Sequence, residues 1–416
     1  MGVFEWLRRV FGGRPRRDVT RLPGIDGADA VRETIDVSGG PLKPHHLRRA
    51  LRDPRLLPKA IRHTVRGKRR QVLSRDEADR LFAGTLRTTN RHIRDLAPDV
   101  EQLERYKLPV WRTEGDLAQA LGISVRELRF FAMHREKEKA PHYVCFAIPK
   151  RSGGERIILA PKPRLKAVQR RLLELLVNRL PASDQAHGFR RARSIRTGAE
   201  PHVGQAMLVQ MDLQDFFPTV TYPRVRGLLL ALGYGYPVAA TLAALMTESQ
   251  RQPVEVDGVV YHVPVGPRHC VQGAPTSPGL CNAVTVKLDH RLHGLAAAKG
   301  FRYTRYADDL TFSTETRRDP AGLVSAATQI IQAEGFAVNT AKTRVSRRGR
   351  RQVVTGVSVA SVLGLSRRER RRLRARIHRL GAGADPLEAA RVEGHLAYVR
   401  MLNPAQAEAL RRSPRR

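Results

Sequence analysis

Two adjacent aspartates, Asp308 and Asp309, sit in the stretch Phe301-Arg302-Tyr303-Thr304-Arg305-Tyr306-Ala307-Asp308-Asp309-Leu310-Thr311-Phe312-Ser313. Short aromatic and β-branched runs flank them, which predicts a strand, a tight turn and a second strand. Neighbouring carboxylates at a turn tip repel each other, so the turn needs a counter-charge. A divalent cation is the usual one. Taken alone, such a pair is an ordinary solvated loop, and its meaning depends on a third carboxylate. Met207-Leu208-Val209-Gln210-Met211 supplies one, because it reads as a strand that delivers Asp212. Setting the two strands side by side brings Asp212, Asp308 and Asp309 together.

Three convergent carboxylates are what a two-cation site requires. Hard Mg²⁺ ions prefer carboxylate and phosphate oxygens and keep several waters. Two such ions, about 3.5–4 Å apart, clamp the attacking and leaving oxygens of an in-line phosphoryl displacement. The surrounding residues suit a nucleotide. Lys150 and Arg156 lie on a basic hairpin, Tyr143–Ile148 and Glu155–Leu159, and are candidates to grip a triphosphate. Phe217 follows Asp212 in Leu213-Gln214-Asp215-Phe216-Phe217, where a ring can close on the sugar 2′ position and favour deoxyribose. Lys342 is a candidate proton donor to departing pyrophosphate. Gln272, in Gln272-Gly273-Ala274-Pro275-Thr276-Ser277-Pro278, joins this set.

The rest of the chain reads as mixed helix and strand. Met1–Phe11 is amphipathic, with Val3, Phe4, Leu7, Val10 and Phe11 on one helical face. Residues 12–45 read as a linker rich in turn residues. Residues 46–106 read as helical and basic, with a capping box at Ser74-Arg75-Asp76-Glu77. A helix is expected over 161–180 and another from the Gln272 loop to about Gly300. A short hairpin is expected at Val254–Tyr261 with its turn at Asp257-Gly258, and one more over 352–359. The tail is helical, with a capping box at Ser366 and Glu369, an apolar face of Leu373, Ile377 and Leu380, and a further helix over 394–402.

Charge narrows the partner. The chain has 75 Lys+Arg against 39 Asp+Glu, a formal net charge of +36, spread along its length. A polyanion, most simply nucleic acid, is the natural complement. The three cysteines, Cys145, Cys270 and Cys281, have no metal-ligand spacing and no even count for a disulfide framework, which fits a reducing cytoplasm. No apolar run is long enough to span a membrane.

At these residues the chain resembles a reverse transcriptase, over roughly residues 115–402. The ordered blocks are Ile148–Lys150 with Gly154–Ile158, Leu165–Gln169, Asp212–Phe217, Gln272–Pro278, Tyr306–Asp309 and Lys342. The resemblance implies an α+β right-hand polymerase of fingers, palm and thumb, with a palm of antiparallel strands packed on helices. The expected division is an N-terminal helical extension over 1–112, fingers over 113–206, palm over 207–360 with finger contributions, and thumb over 361–416. Within that family the chain looks most like the retron enzymes. Val354-Thr355-Gly356 matches their Val-Thr-Gly triplet, in the position of the RNA-recognition region. Gly198-Ala199-Glu200-Pro201-His202 is similar to their Asn-Ala-x-x-His motif, with Gly198 in place of the Asn.

That resemblance implies RNA recognition by His202, Val354, Thr355 and Gly356. It also implies a bacterial, cytoplasmic enzyme that uses two Mg²⁺ ions and dNTPs. Its partner would be a cognate structured noncoding RNA, serving as template and primer for a DNA product. Synthesis from a guanosine 2′-hydroxyl would give branched RNA–DNA, and the role would be antiphage defence, often with an effector protein. Other bacterial reverse transcriptases, intron-derived or defence-associated, are the competing reading; the absence of a maturase or endonuclease extension argues against an intron enzyme. A non-catalytic RNA-binding scaffold is a third reading, opposed by the intact Asp212, Asp308 and Asp309.

Overall fold

The structure is a computed structural model that describes residues 97–133, 140–150, 153–256, 259–380 and 385–412. The expected Met1–Phe11 helix, the 12–45 linker, the Ser74–Glu77 capping box and the turn residues Asp257-Gly258 lie outside the described residues. The strands, in chain order, are β1 (Tyr143–Pro149), β2 (Glu155–Pro161), β3 (Met207–Gln214), β4 (Glu248–Val256), β5 (Val259–His269), β6 (Arg302–Tyr306), β7 (Asp309–Thr314), β8 (Ala337–Val338), β9 (Arg344–Arg347), β10 (Val353–Val354) and β11 (Val357–Ser358). Every pairing among them is antiparallel, and helices separate them, so the fold class is α+β as the sequence implies. No helix among the described residues is long and apolar enough to cross a membrane. The chain forms two compact units. One runs to Arg179 and resumes over Val220–Ser277; the other comprises Leu180–Thr219 and Pro278 onward.

The first unit holds two hairpins, β1–β2 and β4–β5, and a set of helices. The Pro163–Leu175 helix begins with proline at its first position, where the missing N–H is no loss. It stops five residues short of the expected end and tightens into a 3₁₀ turn, Val177–Arg179, which satisfies the last carbonyls. Its buried Gln169 donates to Tyr143 Oη at 2.7 Å and to the Leu245 carbonyl at 2.8 Å, tying the helix to β1 and to the Tyr236–Met246 helix. The β4–β5 hairpin is much longer than the sequence suggests. Pro253 and Pro264 discourage a strand reading, yet a two-stranded ribbon has only edge strands, where a missing N–H leaves no partner unsatisfied.

The second unit is built on the sheet β6-β7-β3-β8, with β9 also pairing β3. Met207, Leu208, Val209, Met211 and Leu213 of β3 are all at most 2% exposed. A central strand covered on both faces reads as an apolar run rather than as alternation. The single helix expected after Gln272 is two helices, Ser277–Val284 and Val286–Ala298. At the break, Thr285 Oγ1 bonds back to the carbonyls of Cys281 and Asn282, which competes with the backbone ladder. In the tail, the Ser366–Glu369 capping box starts the Arg367–Arg379 helix as expected. The last long helix begins earlier than expected, at Pro386 behind an Asp385 cap, and runs to Leu402. Leu373, Val392, Leu396 and Val399 form its core with Ile377 and Leu380.

His202 is in this interior, and that corrects the expectation that it touches RNA. It is 0% exposed. Its Nδ1 lies 2.7 Å from Ser313 Oγ on β7, and its Nε2 lies 2.7 Å from Thr304 Oγ1 on β6. Thr304 spends its one hydroxyl hydrogen on the Gly198 carbonyl, at 3.0 Å. Nε2 must therefore be the ring donor and Nδ1 the acceptor, as in neutral imidazole. The neighbouring Gly198 is closely packed: a Cβ there would sit 3.1 Å from His187 Cβ. The motif thus braces the sheet, and any part in RNA recognition is indirect.

Burial, then the charges of His187 and Arg302, lowers the His202 pKa to about 3 from 6.5. The folded protein keeps this ring neutral, so its stabilisation is lost as pH falls from about 6.5 towards 3. At pH 5 the loss is about 2 kcal/mol. His202→Gln should be destabilised at pH 7.5, and its deficit should shrink by roughly that amount at pH 5. Denaturant unfolding of both proteins at the two pH values checks this; an equal deficit at both would refute it.

Candidate active site

The site starts from register. β3 pairs β7 so that Asp212 stands directly opposite Asp309, and β6 pairs β7 so that Tyr306 faces Asp309 across the turn. Directly opposed residues project to the same face of a sheet. Ala307 takes φ +56°, a conformation usually left to glycine. For a residue with a side chain this costs roughly 1–2 kcal/mol. The Leu213 N–H donates to the Asp308 carbonyl at 2.9 Å, fastening the turn to β3.

Arg305 holds the strained turn in place. Its side chain is fully buried, and its Nε and Nη2 donate to the two oxygens of Asp289, each at 2.8 Å. Nη1 donates to the Ala307 carbonyl at 3.0 Å and to Asn282 Oδ1 at 3.1 Å. Tyr303 Oη donates to Asp289 Oδ1 at 2.9 Å, and the guanidinium carbon lies 5.8 Å from the Phe216 ring centre. From the other side, residues 185–188 run along β6: the Arg305 N–H donates to Gln185 O and the His187 N–H to Arg305 O. Gly188 then passes so close that a Cβ there would sit 2.8 Å from the Ala307 nitrogen. Asn282 Nδ2 fixes Gly188 by its carbonyl, at 2.8 Å.

Charge balance at the carboxylates is met from within. Lys342 Nζ lies 2.9 and 3.1 Å from the two oxygens of Asp212, and this bond, first among its causes, raises the lysine pKa. Asp309 feels the Lys342 charge only as a weaker, opposing effect. Crowding by surrounding protein, then the charges of Asp308 and Asp212, push it up to about 6, although its side chain still reaches solvent. Among the described residues, no three His, Cys, Asp or Glu side chains are drawn into a ready cation cage. The reason is visible: Lys342 takes both Asp212 oxygens, and the other carboxylates repel. The donors themselves, hard oxygens on one sheet face, have the chemistry that suits Mg²⁺.

Phe217 and Lys342 join the three aspartates in the second unit. Asp215, at φ +46°, turns the chain out of β3 and into the Phe216–Thr219 helix. That leaves Phe216 buried and Phe217 half-buried against it, ring centres 5.6 Å apart. Phe189, which the sequence did not single out, packs 6.4 Å from Phe217 and 6.2 Å from Tyr306, with 53% of its surface exposed and φ +57°. Of the triplet, Val354 is buried in an apolar cluster, while Thr355 and Gly356 form the two-residue turn between β10 and β11. Both have positive φ, +46° and +83°, as a type I′ hairpin turn demands. Lys150, Arg156 and Gln272 belong to the first unit. Lys150 and Arg156 are exposed at the β1–β2 hairpin, and the Gln272 carbonyl accepts from Leu159 N–H of β2 at 2.8 Å. Arg305, Asp289, Gly188 and Phe189 were missed by sequence reasoning; Arg302 shares β6 with Arg305, and Lys287, His290 and Arg291 surround Asp289, so no local signal set them apart.

Gly188→Ala should lower primer extension by tenfold or more, because the added methyl displaces the turn by its backbone; about 1.4 kcal/mol of transition-state misalignment suffices for that. Exposed Gly227, where an added methyl would meet nothing within 4 Å, is the control, and its alanine variant should gain up to about 1 kcal/mol. Equal activity in both variants would refute the brace. Asp309, with a folded pKa above its unfolded value, favours folding at low pH, and that benefit is lost as pH rises through about 6. Asp309→Asn should therefore melt higher than the parent in EDTA at pH 7.5, with the gap narrowing as pH falls through about 6 and closing only below about 3.8.

The family Reverse transcriptase (RNA-dependent DNA polymerase) matches residues 148–369. The chain is 61% identical over 391 residues to Retron Mx65 reverse transcriptase of Myxococcus xanthus, covering 93% of this chain and 91% of that protein. It is 47% identical over 312 residues to Retron Mx162 reverse transcriptase of the same organism, covering 70% of this chain and 64% of that one. It is 31% identical over 301 residues to Retron Ec86 reverse transcriptase of Escherichia coli, covering 72% and 87%. With the carboxylate-bearing antiparallel sheet, these matches make the α+β fold that of the right-hand polymerases and the activity that of an RNA-directed DNA polymerase dependent on a divalent metal and an RNA template. The chain belongs to the retron reverse transcriptases.

Proposed function

We propose that this enzyme copies a cognate structured noncoding RNA into single-stranded DNA from a guanosine 2′-hydroxyl, leaving a branched RNA–DNA molecule. The observation that carries the catalytic part is the Asp212–Asp309 cross-strand pair with Lys342 bound to Asp212. Asp212, Asp308 and Asp309 are the residues that would hold two Mg²⁺ ions. The ions, when bound, lower the charge barrier between hydroxyl and triphosphate and steady the leaving group. Lys150, Arg156 and Gln272 bind the incoming dNTP, and Phe217 limits space at its sugar. Lys342, which neutralises Asp212 in this structure, is the group that would protonate the departing pyrophosphate.

In this reading the fingers are residues 113–206, the palm 207–360 and the thumb 361–416, behind the 1–112 extension. The grouping of Val220–Ser277 with the first unit supports a finger contribution from inside the palm stretch. Gly356 is the exposed residue of the RNA-recognition triplet, with Thr355 half-buried beside it. Work in the bacterial cytoplasm, and antiphage defence with an effector protein, follow from the likeness to retron enzymes and are part of the proposal.

Sequencing the nucleic acid that copurifies from cells carrying the native locus tests this reading. The expected result is DNA joined to an internal RNA guanosine, released by a debranching enzyme. The Asp308→Asn, Asp309→Asn variant should yield none, its extension rate falling by about 10³-fold or more, the equivalent of several kcal/mol. Unlinked DNA from active enzyme would sink the branched product; a variant that still extends would sink the carboxylate assignment.

A further inference from the structure

The Pro386–Leu402 helix carries apolar residues on both of its faces. Val392, Leu396, Val399 and Leu402 are buried on the inner side. On the outer side Leu387 and Met401 remain 57% and 40% exposed, and Ala390, Gly394 and Ala397 between them are exposed as well. Positions 387, 390, 394, 397 and 401 form one continuous helical stripe. A helix that is apolar on all sides is normally a buried one. Nothing in the polymerase chemistry above uses this outer face.

Its charge sets it apart from a nucleic-acid surface. The preceding Arg367–Arg379 helix holds eight arginines and one glutamate. The Pro386–Leu402 helix holds two arginines and two glutamates. In a chain of net charge +36 this is a neutral, apolar island. A polyanion gains little there, because its affinity comes from cations that meet phosphates. The face therefore fits protein.

The residue order says which protein. The pattern is symmetric about Gly394: Leu387 lies seven residues before it and Met401 seven after. At 1.5 Å per residue each is about 10.5 Å away along the axis. Glu393 and Arg400 share one flank of the helix, and Glu388 and His395 share the other. An antiparallel copy, turned about a two-fold axis at Gly394, sets Leu387 against Met401 at both ends. It also lays each flank along itself in reverse, so Glu393 meets Arg400 and Glu388 meets His395. Self-complementarity of this kind is what a two-fold interface demands. The acids have partners within the chain, Arg411 at 2.7 Å for Glu393 and Arg376 at 2.8 Å for Glu388, but both stay partly exposed. His395 Nδ1 accepts from Arg376 at 2.9 Å, which leaves Nε2–H free to donate outward. Gly394 stands at the crossing point. A Cβ there would meet nothing within 4 Å, so the fold itself does not call for glycine, and glycine weakens a helix. Its missing side chain lets a second backbone come to the short end of the about 8–10 Å range of packed helices.

We propose that the outer face of the Pro386–Leu402 helix is a homodimer interface, where two chains pair antiparallel about Gly394. One helix pair lies at the small end of specific interfaces, so the dimer is weak.

Sedimentation equilibrium of the full chain tests this, after nuclease digestion and in about 0.3 M salt, which screens long-range repulsion between basic chains more than close contacts. The mass should rise from one chain towards two as concentration is raised to about 100 µM. Leu387→Lys, Met401→Lys should weaken the dimer at least tenfold; both side chains are on the surface, and primer extension reports that the variant is folded. Glu393→Arg and Arg400→Glu should each weaken it, and the two together should restore it. Gly394→Cys, on the axis, should give a covalent dimer under mild oxidation, since facing Cα atoms of closely packed helices come within the about 4.4–6.8 Å of a disulfide. Gly227→Cys, also exposed on a helix, should not. A chain that stays monomeric leaves the face to another segment or partner and overturns the proposal, as does a dimer indifferent to these changes. A loss of RNA binding in Leu387→Lys, Met401→Lys with the mass unaltered also overturns it, and would give the face to nucleic acid.

Discussion

The buried pair of Arg305 and Asp289 is the constraint on which the carboxylate turn depends. Two charges removed from water lose several kcal/mol of hydration each, and only good geometry with further hydrogen bonds offsets the loss. Here the geometry is bidentate, and Asn282 and the Ala307 carbonyl accept further hydrogen bonds from Arg305 while Tyr303 donates one to Asp289. Because one of those partners belongs to the strained residue of the turn, the pair cannot relax without releasing Ala307. An apolar core could give the same stability, but it has no donor to aim at a carbonyl. The ion pair is best understood as a positioning device, with Gly188 as the stop on the opposite side.

The acidic face is held in the opposite manner, by tension. Asp309 is crowded and repelled, while Lys342 occupies Asp212. A site built to attract divalent cations is unfavourable to itself without them, and the lysine, bonded to Asp212, offsets the repulsion at Asp309 only in part. Stability and function therefore pull on the same residues with opposite sign, as is common where charges are concentrated for chemistry.

Much of this was legible in the residue order. An apolar run located β3, turn chemistry the β6–β7 hairpin, and a capping box the tail helix at Ser366, and the Asp212–Asp309 partnership followed from the first two. What failed had identifiable causes. Thr285 breaks a helix through its side chain, which periodicity does not register. Pro253 and Pro264 hid a long ribbon, because tolerance of proline depends on whether a strand is an edge. His202 looked like a surface contact because a polar residue in a motif invites that reading; only the partners Ser313 and Thr304, more than a hundred residues away, reveal a buried one. Arg305 and Asp289 were invisible for the same reason, since nothing local distinguishes a buried guanidinium from a solvated one.

The register of β3 against β7 also has a consequence for biogenesis. Asp212 and its partner Asp309 are 97 residues apart, and β9 lies further still along the chain. At ordinary translation speeds of about 5–20 residues per second, β3 emerges some 5–20 s before the strand that covers it. During that interval an apolar segment meant to be enclosed on both faces and both edges has no native neighbour. Meanwhile the ribosome is making Val220–Ser277, which belongs to the other unit. The nascent chain must therefore shelter Met207–Leu213 by transient contacts or by a chaperone, and the yield of active enzyme should depend on how quickly synthesis crosses that gap.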